Sequence, residues 1–198
     1  MATISIVPTM ETISNNTTKF NTVELAIFNG ARQVGEAKLI LMNYAEMRES
    51  GERLETFARR ISEDMHLSLS AMSKHSLFAC EVLCDTDRMY CRVPIIAYLS
   101  RIYVYPEYRG KGYGKAFVQM LPAAIKQLTL SAPLAIAVYI CPQTKIMTHN
   151  GLTAEIPKKD LKAMQTQMEK MFADAGYIKP SKALNHKRCM VWTEGSIT

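Results

Sequence analysis

Apolar and polar positions along this chain change period several times, and each change marks an element. Thr22–Phe28 and Val34–Met42 read as two strands of a hairpin joined through Asn29-Gly30, a dipeptide that tolerates positive φ in tight turns. Leu54, Phe57, Ala58, Ile61, Met65 and Leu69 then recur at helical spacing and predict a single amphipathic helix over residues 52–72. Leu77–Leu83 and Ile95–Tyr105 read as strands, the second rich in β-branched and aromatic residues. A glycine-rich turn leads into a helix from about Gly112 to Leu128, with a bend expected at Pro122 because proline has no N–H to donate. Leu134–Ile140 is a short unbroken apolar run, the pattern of a strand buried on both faces. Pro157 suits the start of a helix whose stripe (Leu161, Met164, Met168, Met171, Phe172, Ala175) ends at Gly176, and Tyr177–Ile178 and Arg188–Thr193 close the chain as strands. The polar first 20 residues read as irregular, and the stretch between Pro142 and Pro157 is longer than most ordered loops, so it is read as a lid or acceptor-facing segment. Interleaved strands and helices predict an α/β (α+β) fold around a mixed sheet, in one domain spanning residues 1–198.

Composition adds exclusions. With 198 residues, 48% apolar and 21% charged, the chain is neither disordered nor collagen-like and is long enough for one sizeable core. No apolar run approaches the roughly 18 residues of a membrane span, and no basic, apolar leader stands at the N-terminus. Five cysteines without framework spacing suit reduced thiols, so the expected setting is soluble and cytoplasmic. Cys80 and Cys84 would lie about 13 Å apart on a strand, and His186 and Cys189 lack a second pair, so no metal site is expected. The net charge of +6 is unevenly spread. Residues 158–190 hold eight Lys or Arg against three acids, whereas residues 46–64 hold six acids against four Arg.

The chemistry concentrates in Tyr103-Val104-Tyr105-Pro106-Glu107-Tyr108-Arg109-Gly110-Lys111-Gly112-Tyr113-Gly114-Lys115. A strand ends at Pro106, three glycines alternate, and a helix begins at once, so unpaired main-chain N–H groups meet at a helix start that an anion can approach closely. Arg109, Lys111 and Lys115 add charged donors, and the whole reads as a pyrophosphate cradle. A Walker loop is excluded because no Ser or Thr follows Gly-Lys at the required spacing, and a dinucleotide fingerprint because the glycines alternate.

Arg-x-x-Gly-x-Gly does fit, as Arg109-Gly110-Lys111-Gly112-Tyr113-Gly114, preceded by Val104 and Pro106. This segment resembles the coenzyme-A-binding motif of the GNAT superfamily of N-acetyltransferases. The resemblance covers residues 94–128 closely and 129–193 loosely. It implies a GNAT-like, mostly antiparallel sheet flanked by helices, with two central strands that splay apart where the Val104 strand ends. It also implies acetyl-CoA as co-substrate, its pantetheine arm paired with Ile102, Tyr103 and Val104, and its pyrophosphate on Gly110, Lys111, Gly112, Tyr113, Gly114 and Lys115 beside Arg109. The reaction implied is direct attack of a primary amine on the thioester, with the Val104 amide region facing the oxyanion.

Two features depart from that family's pattern. Pro94–Tyr105 and Leu134–Cys141 hold no Asp or Glu, and Phe172 stands where a tyrosine often supplies the thiolate's proton. The catalytic residues are therefore left unknown. Candidates are Glu81, Glu155 and His149 as base, Tyr139 or Tyr98 as acid, and Cys141 as a nucleophile without an evident partner. Met164, Met168 and Met171, like Trp192, read as core. The acceptor is an amine on a small molecule, a protein or a peptide. The alternatives are a CoA-binding module without turnover and an enzyme acting on aminoacyl-tRNA, the latter motivated by the basic 158–190 stretch. The oligomeric state is open, with a homodimer among the options.

Overall fold

The expected hairpin supplies two strands of a six-stranded sheet in the computed structural model, which describes residues 4–9, 20–73, 95–142, 145–147, 153–180 and 188–193. Strand β2 (Phe20–Asn29) turns through Gly30, φ 61°, into β3 (Arg32–Asn43). Strand β1 (Ser5–Pro8) pairs antiparallel with β2, so the N-terminal segment read as irregular holds a short edge strand. Three helices follow, α1 (Tyr44–Glu49), α2 (Leu54–Ile61) and α3 (Glu63–Ser73). Then come β4 (Ile95–Val104), a 3-10 turn at Pro106–Tyr108, helix α4 (Tyr113–Thr129) and β5 (Pro133–Tyr139). Strands β6 (Lys145–Met147) and β7 (Thr153–Glu155) form a small separate pair within the long connection, before α5 (Lys158–Ala173) and β8 (Cys189–Thr193).

The sheet order is β1-β2-β3-β4-β5-β8, and among the described residues only the β4–β5 pair is parallel. Both faces are covered, and the alternation along β4 shows how. Ile95, Ala97 and Leu99 join one cluster, with Phe117, Val118, Leu121 and Ile125 of α4 and Phe172 of α5. Ile96 and Tyr98 join the other, with Phe57 of α2 and Met65, Leu69 and Met72 of α3. On β5, Ala135 and Ala137 face α3 while Ile136 and Val138 face α4, so the small side chains lie under one helix and the branched ones under the other. Burying a side chain as large as Phe117 contributes about 1.5–3 kcal/mol, which makes these two faces the main source of stability. Trp192 is buried as expected.

The helix expected over residues 52–72 is two helices. Ser62 is extended (φ −165°, ψ 155°), and its Oγ accepts the Met65 N–H at 3.1 Å, so it ends α2 and caps α3. The apolar stripe runs through this break, which is why periodicity alone joined the pieces. Pro122 lies within α4. Tyr177–Ile178 contributes one bridge, Ile178 to Val191, rather than a strand. The strand read at Leu77–Leu83 lies outside the described residues, as do Cys80, Cys84, Glu81, His149 and His186.

Candidate functional site

The parallel pairing of β4 with β5 stops at Leu99 opposite Val138. Beyond it β4 continues to Val104, still paired with β3 through Arg101, Ile102, Tyr103 and Val104 but no longer with β5. The register against β3 skips Ser100, because Lys38 faces Arg101 and Leu39 faces Leu99. A bulge at Ser100 thus sits where the strands part, and it increases the local twist that separates them. Past this point one edge of β4 has no neighbouring strand among the described residues.

A trench of three joined cavities follows that edge. The inner one, about 630 Å³, is walled by Leu99–Ile102, by Val138 and Tyr139 of β5, by Asp64 of α3 and by Glu24 and Lys38. A neck of about 180 Å³ runs along Ile102–Val104 between Arg109, Cys141, Pro142 and the methionines of α5. The outer cavity, about 420 Å³, lies at the start of α4 and includes Arg109, Gly110, Gly112, Tyr113, Gly114 and Lys115. Met168 borders all three, and Met164 and Met171 border two. These methionines are half-buried: Met168 and Met171 pack against the core as their stripe predicts, and all three also line the trench. Their flexible thioethers floor the trench, a use that suits methionine.

The outer end is built mainly from main chain. Gly110 and Gly112 have φ of 74° and 85°, and open space lies where a Cβ would stand. Helix α4 begins with Gly112 as its cap, with no side-chain hydrogen bond to the cap and no acidic residue in its first turn. The first N–H with a main-chain acceptor in the helix is that of Ala116, to Gly112 O at 3.0 Å. The amides of Tyr113, Gly114 and Lys115 are therefore the helix's orphan donors. Arg109 is held beside them, its Nε donating to Val104 O at 3.0 Å and its guanidinium 5.2 Å over the Tyr103 ring. Lys115 pairs with Asp174 at 3.0 Å, which ties the start of α4 to the end of α5. Tyr113 Oη accepts from Asn29 Nδ2 at 2.8 Å and anchors the cradle to the β2–β3 turn. Lys111 lines none of the three cavities and stacks 5.5 Å over the Tyr108 ring. The sequence-derived cradle residues thus converge, with Lys111 at the rim.

The inner end is built from side chains. Tyr98 and Tyr139 lie on the face of the sheet that α2 and α3 cover. Burial first, then the negative charge of Asp64, push the Tyr98 phenol well above its ordinary value. Burial also raises Tyr139, against the opposing charge of Arg188, with Asp64 adding to the rise. Both phenols stay protonated at neutral pH. Phe172 is buried with its ring 5.1 Å from that of Tyr177 and offers no proton. Glu155, on β7, is exposed and borders none of the three cavities. Cys141 is exposed where the inner cavity meets the neck. Among the described residues no group of three or more His, Cys, Asp or Glu could hold a metal ion.

Residues 77–138 match the family model described as Acetyltransferase (GNAT) family. The matched segment contains β4, the glycine turn and α4, so the resemblance carried by the motif is borne out. That segment is similar to the core of a GNAT acetyltransferase, a family that uses acetyl-CoA as co-substrate. No curated protein matches it by sequence. Among solved structures it is similar to an agmatine N-acetyltransferase mutant in its apo form, at 12% identity over 86% of this chain and 73% of that one, with a TM-score of 0.39. It is also similar to the Drosophila melanogaster polyamine N acetyltransferase, at 12% identity over 86% and 74%, with a TM-score of 0.36. Overlap at that level carries no argument about the acceptor.

Proposed function

We propose that the chain transfers an acetyl group from acetyl-CoA to a primary amine, by direct attack in a ternary complex formed along the trench. The observation that carries this reading is continuity: an uncapped helix start, an open strand edge and a parting of two strands follow one another in a single groove. The residues fit the co-substrate. The amides of Tyr113, Gly114 and Lys115, with Arg109 and the open Gly110 and Gly112, would hold the diphosphate. Main-chain groups of Ile102, Tyr103 and Val104 would pair with the pantetheine amides as an added strand does. Bound there, the co-substrate would supply an acetyl group activated as a thioester.

The protein's own tasks are then three. It must bring an amine to the inner cavity, remove a proton from it, and offer a main-chain donor near Val104 to the developing oxyanion. An alkylamine with a pKa near 10.4 is neutral in only about one molecule in 2,500 at pH 7, so proton removal matters. With no carboxylate on β4 or β5, the proton leaves to a group outside these strands or to water, and positioning supplies much of the acceleration. Five cysteines without framework spacing support a reducing, cytosol-like setting for this chemistry, and no helix among the described residues is long and apolar enough to cross a membrane.

Incubating the protein with acetyl-CoA and a panel of small amines, while following free thiol, tests the reading. Amine-dependent thiol release is expected. Saturable CoA binding with no thiol release from any amine, peptide or aminoacyl-tRNA would instead describe a binding module.

A further inference from the structure

The charged groups around the inner cavity sort into ion pairs, with one left over. Lys38 Nζ lies 3.4 Å from Glu24 Oε1, and Arg101 Nη2 lies 2.8 Å from Glu36 Oε1. Asp64 is the remaining charged residue on this wall, and it makes no hydrogen bond or ion pair with another described residue. It stands in the first turn of α3, which Ser62 caps. Its field reaches Tyr98 and Tyr139, the two phenols nearest the parting of β4 and β5 on the α3 side of the sheet. The cradle is opened by the other side, under α4 and α5.

A cavity of about 630 Å³ is within the size range of small-molecule sites, which run from roughly 300 to 1,000 Å³. Its uncompensated charge is negative. A neutral arylamine placed there would leave Asp64 with no counter-charge, whereas an alkylammonium would supply one charge-assisted hydrogen bond.

We propose that Asp64 receives the incoming acceptor in its ammonium form, before loss of a proton frees the nitrogen to attack, that it sets the specificity of the amine site, and that the acceptor is a small alkylamine entering from the α3 side. This rests on the reading of the inner cavity as the acceptor end of an acetyltransferase. Of the positive groups nearby, Lys38 and Arg101 have their own carboxylates, and Arg188, whose charge reaches Tyr139, lines none of the three cavities.

The test is calorimetric titration of butylamine, phenethylamine and aniline into the wild type, Asp64→Asn and Asp64→Glu, each with and without saturating CoA. Alkylammonium binding is expected to weaken at least about tenfold in Asp64→Asn and to recover in large part in Asp64→Glu, since a hydrogen bond to a charged group is lost and regained. Binding of aniline, uncharged near neutral pH, and of CoA should not change. In steady state the same variant should raise the amine KM and leave the acetyl-CoA KM alone. Equal alkylammonium affinity in wild type and Asp64→Asn, a parallel loss for aniline, or no saturation of the wild type at millimolar alkylamine each overturns the proposal. The two readings separate cleanly. Normal CoA binding with an inert Asp64 removes this inference only, whereas Asp64-dependent amine binding without CoA binding removes the acetyl-transfer reading only.

Discussion

Two helix starts face the trench from opposite sides of the sheet, and they are built in opposite ways. Helix α3 supplies its own anions: Ser62 Oγ caps it, and Glu63 and Asp64 occupy its first turn. Helix α4 starts from Gly112 without a side-chain cap and without an acid, and Arg109 and Lys115 flank it. A helix start carries about half a positive charge that an anion stabilises. At α3 the protein provides that anion, and it then remains available to a cation. At α4 the position is left to a ligand. One groove therefore offers a positive end suited to a diphosphate and a negative end suited to an ammonium.

The largest effect should come from spoiling the bare end. Gly112→Val puts a branched side chain at φ 85° and fills the space an anion would use, so CoA affinity should fall by about tenfold or more in calorimetry with the fold retained by circular dichroism. Spoiling the capped end should act differently. Ser62→Ala removes the acceptor for the Met65 N–H and should cost about 1 kcal/mol in a denaturant titration, with CoA affinity unchanged. Arg109→Ala removes one charge among several donors and should weaken CoA only about three- to fivefold, in keeping with loss of a single exposed charge.

A smaller effect concerns the support beneath α5. The Tyr177 hydroxyl is buried with no partner among the described residues, and burial raises its phenol far above the ordinary range. Tyr177→Phe should therefore stabilise the protein by about 1 kcal/mol at neutral pH, since an unsatisfied buried hydroxyl costs about 1–3 kcal/mol. The sign with pH is fixed by the raised folded value. Burial of Tyr177 and Tyr98 penalises only their ionised forms, so it leaves stability unchanged with pH below the unfolded phenol's value near 10 and lowers stability as pH rises past it. Alkaline melting curves should fall less steeply for Tyr177→Phe than for wild type.

Legibility in the sequence follows the same division. The bare end could be read because glycines and a proline punctuate it and an unbroken apolar strand leads into it, and the match over residues 77–138 agrees. The other end was obscured by an apolar stripe that runs unchanged across Ser62, so two helices looked like one. The signal was present as Ser62-Glu63-Asp64, a cap followed by two acids, and reading it would have placed Asp64 at a helix start. The trench-lining role of Met164, Met168 and Met171 is hidden in the sequence because a groove floor and a core present the same apolar period. The β1 strand is only four residues long, too short for alternation to stand out. Gly35 shows a dependence no local pattern carries. A Cβ there would run into the Tyr103 carbonyl across the β3–β4 pair, a long-range requirement of the strand that edges the trench.

The most direct measurement is titration calorimetry of acetyl-CoA against the wild-type protein. The account predicts saturable one-to-one binding that free CoA shares and Gly112→Val loses. Absence of saturation at millimolar acetyl-CoA, or equal affinity in Gly112→Val, would contradict it.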